Sequence, residues 1–156
     1  MLTTAKKVIK EALTYKNLDE GLLKDQIPLA QIKYVKKALG EDLYSQIVSE
    51  NDAQSFTGLN ETLLKTYIQP MLARYVIYEA LPLIRSEITS NGINIPDPDF
   101  SAAATDKSYA DVRQKMMSDA ELYLDEMREY MNDNTASFPL WNCGEDISHS
   151  ELPYLY

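Results

Sequence analysis

The sequence predicts a mainly α-helical protein: an antiparallel helical bundle with a long loop or short hairpin between its last two long helices, and an extended C-terminal arm. Apolar residues recur at intervals of three and four along most of the chain, which is the period of a helix with one buried face. That period is lost from residue 132. With 156 residues, 45% of them hydrophobic, the chain fits one bundle domain over residues 1–132 and an arm over residues 133–156.

The N-terminal segment predicts an amphipathic helix. Thr3 or Thr4 can cap it by accepting a hydrogen bond from the first helical turn. Its apolar face consists of Ala5, Val8, Ile9, Ala12 and Leu13. Its other side is rich in lysine, and the segment lacks the uninterrupted apolar stretch of a signal peptide, so we expect no export signal here.

The second helical region follows a connector over residues 17–27, in which Leu18, Leu22 and Leu23 suggest a short helical turn. Pro28 is suited to the first turn of a helix, where its missing N–H has no partner to lose. The buried face of this helix is predicted to contain Ile32, Val35 and Leu39. Gly40 then predicts a stop, because glycine readily adopts the backbone conformation that ends a helix, before helical spacing resumes at residues 43–48.

The centre of the bundle is predicted to be a long helix that follows a polar loop over residues 49–60 and runs to about Thr89. Asn60 can cap this helix. Its middle is apolar nearly all round, which is typical of a buried helix. The residues assigned to this core helix are Tyr67, Pro70, Tyr75, Tyr78 and Pro82. The two prolines are expected to kink or divide the helix.

The segment over residues 91–106 predicts a loop, with room for a short strand pair at an edge. Asn91-Gly92 favours a left-handed stop. Alternating isoleucines and closely spaced prolines then exclude a helix.

The last helix is predicted to be capped by Ser108, with Asp111 completing a capping box. Its apolar stripe consists of Tyr109, Val112, Met116, Ala120, Tyr123, Met127 and Tyr130. The arm that follows is aromatic, whereas a disordered tail is normally polar. Its contact residues are predicted to be Phe138, Leu140, Trp141, Tyr154 and Tyr156. This arm either folds back on its own domain or docks on a neighbour.

The charge of the chain is unevenly distributed. The formal charge of −9 argues against nucleic-acid binding, which needs clustered lysine and arginine. Residues 1–40 hold eight lysines and four acidic residues, or +4, which leaves −13 for the rest of the chain. This separation is compatible with an isolated protein whose faces are solvated, and equally with head-to-tail contact between copies. The apolar stretch over residues 63–84 contains charges and prolines, so we expect no membrane span.

Candidate chemistry in the sequence is sparse. His149 lies in a polar segment, where a solvated side chain is the more typical role. Asp97 and Asp99 lack the spacing of a calcium loop and are better explained by turn formation. Cys143 is the only cysteine, which excludes an internal disulfide and a multi-cysteine zinc site. We therefore expect no catalytic residue, no metal and no cofactor.

Several segments of the chain resemble a known family. The run from Tyr67 to Pro82, followed by Ile88 to Ile93, resembles virion proteins of crAss-like and related tailed phages. The run from Ile32 to Tyr44, with its Leu-Gly step and Leu-Tyr pair, is similar to the same family, as is the Phe-Pro step at residues 138–139. The likeness spans roughly residues 28–140 and contains structural motifs only.

The resemblance implies a head-to-tail connector of the adaptor or head-completion class. Proteins of that class are antiparallel helical bundles with a protruding loop, and they form a ring, commonly of twelve copies, beneath the portal. Their usual contact elements are the loop between the long helices and the C-terminal arm, which implies that the loop over residues 91–106 presents Ile93, Ile95, Pro96 and Phe100 to a neighbouring molecule. The implied partners are further copies of the chain, the portal protein and neighbouring neck or tail proteins, with DNA passing through without specific binding. The implied location is the neck of the virion, assembled in the host bacterial cytoplasm.

Two rival hypotheses remain beside the connector. A small non-virion helical interaction or regulatory protein would be a monomer or dimer with no affinity for a portal. An enzyme with an unrecognised carboxylate site would need a deep pocket that holds several acids of raised pKa.

Overall fold

The computed structural model describes residues 1–12, 20–85, 87–89, 92–94 and 106–141, and these form a mainly helical protein, as predicted. The helices are α1 (Ala5–Glu11), α2 (Glu20–Ala30), α3 (Lys37–Leu39), α4 (Glu41–Ala53), α5 (Asn60–Thr62), α6 (Gln69–Arg85) and α7 (Asp106–Asp133). Two π-helical turns, Gln31–Lys36 and Leu63–Ile68, and a 3-10 turn, Thr135–Ser137, complete the helical structure of these residues. Strands β1 (Glu87–Thr89) and β2 (Gly92–Asn94) form an antiparallel pair.

The first helix begins as the sequence predicts. The side chain of Thr4 accepts a hydrogen bond from the backbone N–H of Lys7, at 3.3 Å, and so caps α1. Thr3, the other candidate cap, is buried.

The second helix is longer than predicted, because α2, the first π-helical turn and α3 follow one another without a break over residues 20–39. Pro28 therefore lies within this helix and not at its first turn. Gly40 ends the helix with a φ of +78°, which confirms the predicted stop. The predicted polar loop over residues 49–60 was wrong in extent, since α4 continues to Ala53.

The central helix is likewise continuous over residues 60–85, formed by α5, the second π-helical turn and α6. Pro70 does not divide it. The backbone N–H of Gln69 bonds to the carbonyl of Leu64, five residues back, and this wider turn makes room for the proline ring. Pro82 is also accommodated within α6. The helix ends at Arg85 instead of Thr89, because β1 begins at Glu87.

Both helices that contain a π-helical turn bury a line of residues spaced by four. In helix 20–39 the line consists of Leu23, Ile27, Gln31, Val35 and Leu39, and in the central helix of Leu64, Ile68, Leu72, Val76 and Ala80. In a regular α-helix, a four-residue spacing drifts around the axis by about 40° per step. The wider π turn takes up part of this drift and keeps each line facing the core.

The orientation of the buried line around the helix axis contradicts one prediction for helix 20–39. Ile32 was expected on the buried face with Val35 and Leu39, yet it is 58% exposed. Its place in the buried line is taken by Gln31, which is 6% exposed. The prediction failed because it assumed the period of an unbroken α-helix.

The last long helix, α7, confirms the predicted stripe. Met116, Ala120 and Met127 are buried, and the other members of the stripe are half-buried against the core. The helix begins at Asp106, two residues before the expected cap at Ser108. It packs along the central helix, as do α1 and α2. The central helix is therefore covered by α1 and helix 20–39 on one flank and by α7 on another.

Candidate interaction surfaces

The flank formed by helix 20–39 is joined to the central helix by an aromatic and ionic cluster. The rings of Tyr34 and Tyr75 stack with centroids 3.7 Å apart and nearly parallel planes. The Tyr34 hydroxyl donates to Glu79 Oε1 at 2.6 Å, and Lys33 Nζ lies 3.0 Å from both carboxylate oxygens of Glu79. Burial, followed by the hydrogen bond to Glu79, raises the pKa of Tyr34 well above its usual range, so this hydroxyl stays a donor.

The α7 flank is joined to the central helix by cation–π contacts. The guanidinium of Arg74 lies 4.5 Å from the centroid of the Tyr123 ring, and its Nη1 donates to the carbonyl of Pro70 at 2.8 Å. The guanidinium of Arg113 lies 4.3 Å from the centroid of the Tyr78 ring. Arg74 and Glu79, both on the central helix, thus have separate partners within the chain.

Two buried glutamines hold the start of the chain. Gln31 Oε1 accepts the backbone N–H of Leu2 at 2.9 Å, and Gln69 Nε2 donates to the carbonyl of Leu2, also at 2.9 Å. Lys7 donates to Oε1 of Gln69, and Gln31 donates to the hydroxyl of Tyr44. Each glutamine thus meets the requirement that a buried polar group be hydrogen-bonded, and together they fix the buried Leu2 between the two π-containing helices.

The connection between α4 and the central helix is organised by one carboxylate. Glu50 accepts hydrogen bonds from the side chains of Gln46 and Asn60, both at 2.8 Å, and from the backbone N–H of Thr57 at 3.1 Å. Partial burial opposes ionisation of Glu50, but these hydrogen bonds outweigh it and lower the pKa of the carboxyl. Asn60 was expected to cap the helix; instead it is its first residue, and its side chain is committed to Glu50.

The five residues assigned to the core helix do not share one environment. Tyr75 and Pro70 are buried, whereas Tyr67 and Tyr78 are half-buried and contact α7 residues through their rings. Tyr67 stacks on Tyr130 with centroids 4.7 Å apart. Pro82 is exposed, so it does not belong to the core.

The predicted arm begins by folding back on its own bundle. Phe138 is only 2% exposed, and its ring meets the Tyr130 ring edge-on with centroids 5.9 Å apart. Phe138 is therefore part of the core of its own chain and is unavailable to a neighbour. Trp141 is half-buried against the same core, whereas Leu140 is 41% exposed. The other arm residues, Tyr154 and Tyr156, lie outside the described residues.

The predicted loop interface is mostly outside the part of the chain that the structure describes. Ile93 lies in β2, where its backbone pairs with that of Ile88. Ile95, Pro96 and Phe100 lie outside the described residues. The antiparallel pairing of β1 and β2 confirms the short strand pair that the sequence allowed.

Large apolar side chains are exposed at positions where the sequence did not predict exposure. Among the described residues, the two most exposed large hydrophobic side chains are Ile32 at 58% and Leu122 at 60%. Leu29, one turn before Ile32, is 41% exposed. The exposure of Leu122 could have been predicted from the sequence, since Leu122 falls outside the α7 stripe, on the side of the helix that carries the carboxylates.

Both exposed positions lie among charged side chains, and each set includes charges of both signs. Ile32 is followed on its helix by Lys33, Lys36 and Lys37. Leu122 lies among Asp119, Asp125, Glu126 and Glu129, all on turns of α7 adjacent to it or one further on. Lys36 pairs with Glu41, Lys115 with Asp119 and Arg128 with Asp125. Exposed ion pairs of this kind contribute little to stability and can exchange partners.

A surface cleft of about 420 Å³ lies between α1 and α2 on the lysine-rich flank. It is lined by Met1, Thr4, Ala5, Lys6, Glu20, Gly21, Lys24 and Ile27. Within the described residues, no group of histidine, cysteine and acidic side chains is arranged to hold a metal ion. The same residues contain no helix long and apolar enough to cross a membrane.

Comparison with known proteins defines the class of this chain. The model of DUF6712, a family of unknown function, matches residues 6–151, and the chain therefore belongs to that family. The match covers all the described helices except the first residue of α1. No curated protein and no solved structure matches the chain.

Proposed function

We propose that this chain is a structural virion protein of a tailed phage, which forms a ring at the portal or neck, connects the head to the tail and lines the DNA channel. The observation that carries the proposal is the separation of charge within the folded bundle. Residues 1–40, with a formal charge of +4, supply α1 and helix 20–39 on one flank of the central helix. The acidic helix α7 packs on another flank.

This arrangement supports contact between copies. A basic flank and an acidic flank on the same molecule attract each other between molecules, and they steer the encounter into a head-to-tail orientation. A contact between two different surfaces closes into a ring when its rotation permits. The charge of −13 carried by residues 41–156 also suits a channel through which DNA moves without adhering.

The two sequence runs resemble connector proteins of crAss-like phages, and this resemblance supports interpreting the charge separation as a means of assembling a connector ring. The run at residues 67–82 forms the middle of the central helix, and the run at residues 32–44 spans the first π-helical turn, Gly40 and the start of α4. The first run therefore belongs to the central helix, against which both flanks pack, and the second includes the end of helix 20–39, which forms part of the basic flank.

A small non-virion helical interaction or regulatory protein is the alternative. Burial of Phe138 against Tyr130 of the same chain favours it, because an arm that packs on its own bundle has less apolar surface to offer a neighbour. This alternative predicts a monomer or dimer that ignores the portal.

The test is size-exclusion chromatography with light scattering on the purified chain, alone and mixed with the portal protein encoded in the same genome. A ring or a stable portal complex is expected, and its yield should fall with added salt because the contact is electrostatic. A monomer that is indifferent to the portal would contradict the connector and leave the regulatory protein as the better hypothesis.

A further inference from the structure

We infer that residues 1–12 form an N-terminal latch, which opens and closes as a unit while the rest of the bundle stays folded, and that Gln31 and Gln69 control how often it opens. The latch consists of α1, the four residues before it and Ala12 after it. This inference goes beyond the proposed function and does not depend on it, because a connector and a regulatory protein could equally contain such a latch.

The helix within the latch is weak by itself. α1 has 7 residues, and isolated helices shorter than about 12 residues are marginal in water. Lys6 and Lys7 lie in its first turn, where the helix dipole favours acids, and Glu11 lies at its end, where the dipole favours bases. Only Lys10 is placed favourably, and at a spacing of four it repels Lys6. α1 therefore depends on its contacts with the rest of the bundle.

The polar contacts of the latch form a clamp made of side chains. Gln31 binds the backbone N–H of Leu2, and Gln69 binds the carbonyl of the same residue. A second hydrogen bond orients each amide, to the hydroxyl of Tyr44 for Gln31 and from the amine of Lys7 for Gln69. Because the amides belong to side chains, these bonds can break by side-chain rotation, without any displacement of the helices that hold them.

The apolar contacts of the latch keep it closed most of the time. Leu2, Val8 and Ala12 are buried, and α1 packs on the central helix and on α2. Opening exposes these three side chains to water together with the surface beneath them, which is unfavourable. The open state is therefore a minor one, and each opening uncovers an apolar surface that the closed bundle hides.

The rest of the bundle has strong contacts that do not involve the latch. Helix 20–39 is joined to the central helix by the stacked rings of Tyr34 and Tyr75 and by the hydrogen bond to Glu79. α7 is joined to it by Arg74 over the ring of Tyr123. Parts of a protein that have fewer buried contacts open at a lower free energy than its core. The latch can thus open while the other helices remain packed.

Hydrogen exchange of the full chain, followed residue by residue with NMR, tests the latch. The amides of Val8 and Ala12 donate to the carbonyls of Thr4 and Val8, so they exchange when α1 opens. Their protection factors are expected to be at least about tenfold lower than those of Leu72 and Val76 in the central helix. A tenfold difference corresponds to about 1.4 kcal/mol in the free energy of opening.

Three variants test the role of the clamp. Gln69→Ala leaves the carbonyl of Leu2 and the amine of Lys7 without their partner, and should lower the protection of the two latch amides by about a further tenfold. Thr4→Ala changes only the latch, and loss of its cap should lower the same protection by about fivefold. The matched control is Gln114→Ala, an exposed position on α7, which should change neither region.

Each outcome decides the inference. Equal protection of the latch and the central helix in the parent chain would show that the bundle opens as one unit, which overturns the latch. A Gln69→Ala variant that affects the latch amides no more than Gln114→Ala does would overturn control by the clamp. Equal loss of protection in the latch and in α7 for both Gln69→Ala and Thr4→Ala would show a global effect and would overturn the inference as well.

Discussion

The two flanks of the central helix are held by different chemistry. Toward helix 20–39, the contact combines a line of aliphatic side chains with the stacked pair of Tyr34 and Tyr75 and the carboxylate of Glu79. Toward α7, the buried side chains include three methionines, and the polar contacts are arginines over tyrosine rings. Branched aliphatic side chains fix a packing geometry more strictly than methionine, which adapts to irregular space.

The difference shows how the central helix packs against two flanks of opposite charge. On the basic flank, the central helix supplies an acid, Glu79, which binds Lys33. On the acidic flank it supplies a base, Arg74, which lies over Tyr123 of α7. Glu79 thus neutralises a lysine of the basic flank directly, whereas the charge of Arg74 is placed over an aromatic ring of α7.

The largest effect on the free energy of unfolding is expected at Phe138, which follows α7 and packs against Tyr130 of that helix. Phe138→Ala should destabilise the protein by about 3–5 kcal/mol, the range for deleting a buried aromatic ring. The measurement is the free energy of unfolding from urea denaturation followed by circular dichroism. Leu140→Ala is the control, because Leu140 is 41% exposed and should change stability by less than about 0.5 kcal/mol. Equal effects of the two substitutions would show that Phe138 is not packed in the core.

A smaller effect is expected on the first flank. Tyr34→Phe keeps the stacked ring but removes the hydrogen bond to Glu79, and hydrogen bonds to charged groups contribute about 1.5–3 kcal/mol. The counterpart on the other flank is Tyr123→Leu, which removes the ring under Arg74 and with it about 0.5–1 kcal/mol of cation–π attraction. Thermal unfolding of both variants would measure the contrast. A Tyr123→Leu variant that loses more than Tyr34→Phe would reverse the comparison of the flanks.

The connection between α4 and the central helix should make stability depend on pH. The pKa of Glu50 is lowered from its ordinary value of 4.5, so the folded state favours the ionised carboxylate. This contribution is complete above pH 4.5 and is lost as the pH falls through the pKa of the folded state. Glu50→Gln should cost about 1 kcal/mol at neutral pH and flatten this acid dependence. A Glu50→Gln variant with the acid dependence of the parent would assign it to other carboxylates.

The smallest effect concerns the outer face of helix 20–39. Ile32→Gln should change the free energy of unfolding by less than about 0.5 kcal/mol, because the side chain is 58% exposed. Leu39→Ala, in the buried line of the same helix, should cost about 2–5 kcal/mol. If Ile32→Gln cost as much as Leu39→Ala, both side chains would be buried, as the sequence alone predicted.

The sequence predicted elements that depend on local chemistry. The Thr4 cap, the stop at Gly40 and the stripe of α7 each follow from residue type or from an unbroken helical period, and all three are confirmed. The exposure of Ile32 was missed because a π-helical turn changes the helical period without any special residue within it. The strict four-residue spacing of the buried lines was the available signal.

The candidate surfaces were less accessible from sequence. Phe138 was predicted as a contact residue of an arm that either folds back on its own domain or docks on a neighbour, and only the fold shows that its ring meets Tyr130 of the same chain. The charge separation was visible in the residue counts. Its division between two flanks of one helix required the packing of α7 and helix 20–39 around the central helix, which no local pattern encodes.

The π-helical turns have a consequence for how the family can vary. Such a turn contains one residue more than the hydrogen-bonding pattern of an α-helix needs, so it behaves as an insertion retained inside a helix. Removing one residue from Gln31–Lys36 would rotate everything after it by about 100° and move the lysines at positions 33, 36 and 37 relative to the rest of the bundle. In an alignment of DUF6712 sequences, we therefore expect a single-residue gap at one of these turns only in members whose charged residues after the gap have also moved by one position.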